Sequence, residues 1–129
     1  MKESKFQFKT PYLEELEFNL NNDFANKTVD VKMENSVTVH ISKIDDCENS
    51  ALVELELTIN DDVTDKPFSL YIVVAAEFTW EDLDIEHANN LLKTIAPEFL
   101  LGFARLIIAN ITNVSPFPCY NISFLNFNE

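Results

Sequence analysis

Phe68-Ser69-Leu70-Tyr71-Ile72-Val73-Val74-Ala75-Ala76-Glu77-Phe78 leads, past Glu81-Asp82-Leu83-Asp84, into Ala96-Pro97-Glu98-Phe99-Leu100-Leu101-Gly102-Phe103-Ala104-Arg105. The two stretches obey different periods. In the first, Phe68, Leu70, Ile72, Val74, Ala76 and Phe78 recur at every second residue, as on one face of a strand. From Phe99 the apolar positions are Phe99, Leu100, Phe103, Ala104, Ile107, Ile108 and Ile111, which is one stripe of a helix. Strand followed by helix in a short chain indicates an α+β class.

Upstream, Val53, Leu55, Leu57 and Ile59 alternate with Glu54, Glu56 and Thr58, and Val37, Val39 and Ile41 alternate with Thr38, His40 and Ser42. Asp45-Asp46 and Asn60-Asp61-Asp62 mark turns between these runs. Short connections predict antiparallel pairing, and one apolar face per strand predicts a sheet covered on one side. A fourth strand is expected near the start. Phe6, Phe8, Thr10, Tyr12, Leu16, Phe18 and Leu20 would share one face, with Lys5, Gln7, Lys9, Glu15, Glu17 and Asn19 on the other. Pro11 cannot donate to a ladder, so this strand should lie at an edge or carry a bulge nearby. Asn21 to Asn35 reads as a crossover loop with Phe24, Val29, Val31 and Met33 as isolated apolar residues.

Downstream, Glu81, Asp82 and Asp84 place negative charge where a helix start favours it. A short helix is expected from about Ile85 to Thr94, with Pro97 interrupting the ladder and opening a second. Leu101, Leu106 and Ala109 fill the rest of that second helix's circumference. A helix apolar all round needs cover on both sides, so a second subunit is expected against it. Gly102 inside a helix costs about 1 kcal/mol relative to alanine. Close approach of another backbone would offset that cost. Arg105, the one arginine, is expected to pair with a carboxylate at a packing interface or to touch a partner. Ser115-Pro116-Phe117-Pro118 ends the helix, and Cys119 to Phe127 reads as an extended, aromatic-rich tail.

Size and charge bound the function. The 129 residues fit one domain, 1–129, large enough for a core without staples. Apolar residues at 47% and charged residues at 24% are those of a globular chain rather than a disordered one. No stretch resembles a signal peptide or a membrane span, so a cytoplasmic protein without membrane insertion is expected. A net charge of −13 repels phosphate backbones and disfavours nucleic acid as a partner. Twenty of the 22 acids lie in residues 1–86, so the front half presents a solvated acidic face and the back half looks covered. One glycine in the chain excludes the Gly-rich loops that cradle phosphate.

The candidate chemistry is sparse. Cys47 and Cys119 are expected as free thiols in a reducing compartment, with Cys119 packed; catalysis by it would need His40 or His87 as base, and nothing local joins them. His40 should be exposed on a polar strand face and His87 solvated at a helix start. No short ligand spacing suggests a metal, and no cofactor is expected. The acid pairs Glu14-Glu15, Asp45-Asp46, Asp61-Asp62 and Glu81-Asp82 are what a chain this acidic places in solvated turns. The aromatic residues are more informative. Phe24 and Met33 in the crossover, with Phe117, Tyr120 and Phe124 in the tail, stand outside the regular core pattern. They either close the edges of the core or line an apolar groove for polypeptide, a role that Met and Phe suit.

The second half resembles the SecB family of export chaperones. The residues that carry the resemblance are Ala96-Pro97 through Phe103-Ala104-Arg105, then Phe117-Pro118 with Asn121, and Asn126-Phe127. It is distinctive over Ala88 to Glu129, and the order of strands and helices extends it to most of the chain. The resemblance implies a four-stranded antiparallel sheet with two helices on one face. It also implies a homo-oligomer, either a dimer or a tetramer built as a dimer of dimers, with the long helices at the interface. Leu101, Gly102, Arg105, Leu106 and Ala109 would lie there. The implied activity is ATP-independent holding of unfolded polypeptide, with Phe68, Phe103, Phe117 and Met33 at groove positions. The same fold could instead serve as an adaptor for one partner, such as an antitoxin or a regulator. Glu15 matches one acidic position that SecA reads in the family, while Asn19, Ser69 and Tyr71 stand at the others. Ala75-Ala76 replaces a usual glycine pair, Gly102 stands where proline is common, and the resemblance is to a divergent member without the C-terminal zinc-binding tail.

Overall fold

The structure is a computed structural model that describes residues 1–24, 31–44 and 48–127. Its elements are β1 (Phe6–Phe8), β2 (Tyr12–Leu20), β3 (Asn35–Lys43), β4 (Ser50–Ile59), β5 (Phe68–Trp80) and α1 (Ile85–Asn113). The sheet runs β1-β5-β4-β3, with β2 continuing the β1 edge along β5, and every pairing is antiparallel. The α+β class and the antiparallel sheet expected from the sequence are both present. The Asp45-Asp46 turn, Val29 and Cys47 lie outside the described residues.

The expected fourth strand is two strands. Pro11 supplies no ladder donor, and the chain breaks between Phe8 and Tyr12. Phe6 pairs with Trp80 and Phe8 with Phe78, but Tyr12 pairs with Ala75, and a further irregularity falls between Leu13 and Glu15. These slips change the faces. Because side chains alternate, a one-residue slip turns every following side chain over. Tyr12 therefore sits on the outer face opposite Ala75, not beside Phe8, and Leu13 opposite Val74 takes the core side. After the second slip, Leu16, Phe18 and Leu20 face the core opposite Ile72, Leu70 and Phe68.

The two expected helices are one. Asp84 caps it, its carboxylate accepting from the His87 amide at 2.7 Å. Pro97 lies inside the 29-residue helix. An internal proline removes one ladder bond and costs about 3 kcal/mol. The apolar stripe explains why the helix continues. Ala88, Leu92, Ala96, Leu100, Ala104 and Ile108 are all buried and run through the proline without a change of phase. Breaking the helix at Pro97 would expose half of them, and each large one is worth about 1.5–3 kcal/mol when buried.

This stripe packs on β4 and β5, against Leu55, Leu57, Ile59, Phe68, Leu70, Ile72 and Val74. Three of its six members are alanine, which lets the helix axis lie close to the sheet. One flank of α1 meets the β1 edge, where Phe99 stacks within 4.3 Å of Phe8 and 6.0 Å of Phe78.

Candidate functional site

The crossover leaves the sheet beside the end of β2 and returns at the start of β3. Two asparagines fix that end of the molecule. The Asn21 amide group donates to the carbonyls of Val63 (2.8 Å) and Lys66 (2.9 Å), and its backbone N–H donates to Pro67. Asn60 is buried, with φ of 57°, a left-handed conformation that asparagine tolerates better than most side chains. Its side chain donates to the Phe68 carbonyl (2.8 Å) and accepts from the Glu34 amide (3.0 Å), and its own N–H donates to the Glu34 carbonyl (2.7 Å). Lys66 adds an ammonium bond to the Lys32 carbonyl. The returning arm of the crossover is thus stitched to the β4–β5 turn by groups of both sides.

On this frame the structure gathers most of the aromatic residues singled out from sequence. Phe18 and Phe68 lie 5.4 Å apart, Phe68 and Tyr120 5.9 Å edge to face, and Phe24 and Phe117 5.8 Å edge to face. Met33 is half-buried, its sulfur 3.5 Å from the Asn60 amide nitrogen. Crossover and tail therefore meet ring to ring, and Tyr120 and Asn35 tie them further by a hydroxyl–amide pair of bonds at 3.0 and 3.2 Å. Phe68 itself is 2% exposed, so it forms the floor of this patch rather than its surface. Phe103 is half-buried against the core on α1. Phe124 lies apart from the cluster, 93% exposed, with the Arg105 guanidinium 5.0 Å over its ring.

The tail is laid along α1 in the opposite direction. Cys119 Sγ donates to the Ala109 carbonyl (3.4 Å), Arg105 donates to the carbonyls of Ile122 (2.8 Å) and Ser123 (3.0 Å), and Leu101 with Glu98 meets Phe124 and Leu125 around a pocket of about 340 Å³. Eight helical residues advance only about 12 Å, so the five or six tail residues beside them, which could reach roughly 17–21 Å fully drawn out, cover that distance without full extension. The tail amide of Tyr120 donates to Thr112 Oγ1 at 2.8 Å. Thr112 is fully buried and also donates to the Ile108 carbonyl. Among the described residues, then, Arg105 binds tail carbonyls.

The proposed interface residues divide between two flanks. Leu101 is 2% exposed within the chain and Arg105 is engaged with the tail. Gly102, Leu106 and Ala109 share the other flank with Ile95. Leu106 is 61% exposed, and a Cβ added at Gly102 would meet nothing within 4 Å. Among the described residues no other backbone lies within 4 Å of that position.

The outer face of the sheet carries the acids. Glu15 stands there opposite Val73, with Asn19 opposite Ser69. The Tyr71 hydroxyl donates to Glu56 (2.7 Å), and the other oxygen of Glu56 lies 3.0 Å from His40 Nε2. Those two bonds hold the Glu56 carboxyl below its ordinary pKa, and the same carboxylate pushes the Tyr71 phenol up to about 12. Glu14 is raised, chiefly by a hydrogen bond with Glu54 and then by desolvation. Cys119, expected to be packed, is exposed, because the residues around it in the tail face solvent. Among the described residues no group of three His, Cys, Asp or Glu gathers as metal ligands, and no helix is long and apolar enough to cross a membrane.

Sequence reasoning missed Asn60, Thr112 and Ile122. Asn60 was visible as the first residue of a turn triplet, and Ile122 as the middle of Tyr120-x-Ile122-x-Phe124. Nothing in the sequence marked Thr112 as the acceptor for a tail amide.

The family described as Preprotein translocase subunit SecB matches residues 1–129. The Mycobacterium tuberculosis SecB-like chaperone Rv1957, solved in complex with a ChAD peptide from the HigA1 antitoxin, has the same fold. Its TM-score is 0.71 at 12% identity, over 95% of this chain and 88% of that one. A protein of unknown function from Streptococcus agalactiae aligns at a TM-score of 0.51 and 14% identity, over 95% of this chain and 100% of its own. No curated protein matches by sequence.

Proposed function

The chain belongs to the SecB family, and from that premise we propose that it is an ATP-independent chaperone, which holds unfolded or extended polypeptide in an apolar groove in the cytoplasm. The observation that carries this reading is the aromatic patch where crossover and tail meet, Phe24 against Phe117 and Phe68 against Tyr120, with Met33 beside them. Unfolded chains expose apolar side chains worth about 25 cal/mol per Å² when covered. Several weak contacts along one chain then add through multivalency. Phe103 on α1 would extend the groove, and Phe124 would offer a separate apolar contact. No catalytic residue, metal or cofactor is assigned.

The working unit we propose is a homo-oligomer, a dimer or a dimer of dimers, joined through the flank of Gly102, Leu106 and Ala109. Protein export is the setting that the family description supports, with Glu15 as the available contact for SecA. The test is aggregation of a chemically unfolded protein diluted into buffer with and without this chain. Suppression near stoichiometric amounts, without ATP, is the expected result. Absence of suppression at micromolar chain would sink general holding.

A second reading is favoured by the M. tuberculosis neighbour, which is solved with an antitoxin peptide. On this reading the groove serves one dedicated partner. Client breadth separates the two: an adaptor leaves generic unfolded chains to aggregate and retains a single protein from its own host.

A further inference from the structure

The tail is held in an unusual way for a structural segment. Among the described residues, 118–125 make no backbone–backbone hydrogen bond to helix or sheet. Beside the Tyr120–Asn35 side-chain pair and the Cys119 thiol on the Ala109 carbonyl, they are held by side chains that bind main chain: Arg105 on the carbonyls of Ile122 and Ser123, and Thr112 on the amide of Tyr120. Such contacts do not depend on the side chain of the residue being bound. Selectivity instead comes from alternate positions. Tyr120 packs on Phe68, Ile122 is 5% exposed in the core, and Phe124 lies under Arg105. The residues between them, Asn121 and Ser123, are exposed.

We propose that the channel along α1 filled by residues 119–125 is a binding seat for foreign extended polypeptide with an aromatic, an aliphatic and an aromatic residue at alternate positions. The chain's own tail is its resident occupant. This deepens the holding reading and rests on it, naming the segment chemistry that the groove takes. Three facts support exchange of tail for client. The seat reads carbonyls and an amide that every peptide has. Its buried reader, Thr112, has no function in the helix that needs a tail partner. Apart from Ile122 and the half-buried Tyr120, the occupant is exposed, and segments with few buried apolar contacts open at low free-energy cost.

The test uses the full chain and a fluorescent peptide copying residues 118–127 with serine for Cys119, beside a peptide of the same composition whose apolar residues are adjacent. Ile122→Ser weakens the resident tail and leaves the seat intact. Losing one buried aliphatic side chain from the competitor should tighten binding of the copied peptide about tenfold or more over wild type. Added peptide should also speed hydrogen exchange at the Tyr120 amide, and the rearranged peptide should bind at least about tenfold more weakly. Ile122→Ala, a milder truncation of the same buried side chain, provides a second variant if Ile122→Ser fails to fold. Equal affinity for wild type and variants, with the Tyr120 amide still protected, overturns the proposal while holding elsewhere on the surface stands. No peptide binding to any of the proteins, with unfolded client still held, overturns it in the same way. Loss of peptide binding and of client holding together removes the reading beneath it as well.

Discussion

Gly102→Ala separates the helix from the assembly. Within the protomer the substitution can only help. The added methyl meets nothing within 4 Å, so overpacking is absent and the helix propensity gain of about 1 kcal/mol is realised in full. For a chain of this size that raises the midpoint of thermal unfolding by about 3–5 °C. At an interface the same methyl has the opposite effect. If a second copy brings its backbone against Gly102, the methyl overpacks the contact at about 1–3 kcal/mol. That weakens association by about 5- to 150-fold. Leu106, 61% exposed beside it, would supply the apolar contact. The assay is a pair of measurements on wild type and variant: thermal melts at low concentration, and sedimentation equilibrium across a concentration series. The expected outcome is a higher midpoint in dilute solution with weaker association. A higher midpoint with unchanged association would refute the close approach, leaving Gly102 as an uncompensated cost. A lower midpoint in dilute solution would refute the helix argument itself.

The remaining expectations concern single groups. Asn60→Ala removes the bonds to Phe68 and Glu34 and places alanine at φ of 57°; denaturant unfolding should show a loss of about 2–4 kcal/mol, part of it recovered by Asn60→Gly. Tyr71 has a raised folded-state pKa, so its contribution is complete below its ordinary pKa of 10 and is lost as pH rises through about 12. Glu56, with a lowered pKa, contributes above the ordinary carboxylate range and loses that contribution as pH falls through its folded value. The stability gap between wild type and Tyr71→Phe should therefore be flat across the neutral range and close at both extremes; a gap that stays open at the alkaline end would show that the phenol–carboxylate bond is not its source. Glu14 is raised by its bond with Glu54, so the favourable protonated form is lost as pH rises through its folded pKa. Glu14→Gln keeps a donor at every pH and should flatten the acid-side dependence of unfolding.

The strands and the helix were legible because their periods are written in large residues. Val53, Leu55, Leu57 and Ile59 permit one reading only, and β4 follows it. Where the reading failed, a local rule was overridden by packing elsewhere. Pro97 is a breaker by local rules, yet the stripe from Ala88 to Ile108 outweighs it. Tyr12 follows the alternation of Phe6 and Phe8, but the slip beside Pro11 turns it outward, and a second slip at Glu14 turns Leu16, Phe18 and Leu20 back to the core. Of the residues outside the pattern, Phe24 meets Phe117, Tyr120 meets Phe68 and Met33 lies against Asn60, because loop and tail are both tied to the same end of the sheet. The tie itself, Asn21 and Asn60 bonding to main chain, is invisible in a composition that holds many asparagines.

The helix also shows how one element can serve two surfaces without conflict. Residues three and four apart share a face, so Leu101, Arg105 and Ile108 form one flank while Gly102, Leu106 and Ala109 form another. The first flank is occupied by the tail, through the Arg105 bonds to Ile122 and Ser123. The second is open. Substitutions on the two flanks share no partners, and effects at sites without shared partners add to within a few tenths of a kcal/mol. Gly102→Ala and Ile122→Ser should therefore be additive in unfolding free energy. The first should change association without changing peptide binding, and the second the reverse. Strong coupling between them would mean that the tail and the second copy compete for one surface, and that the division of the helix into a holding flank and an assembly flank is wrong.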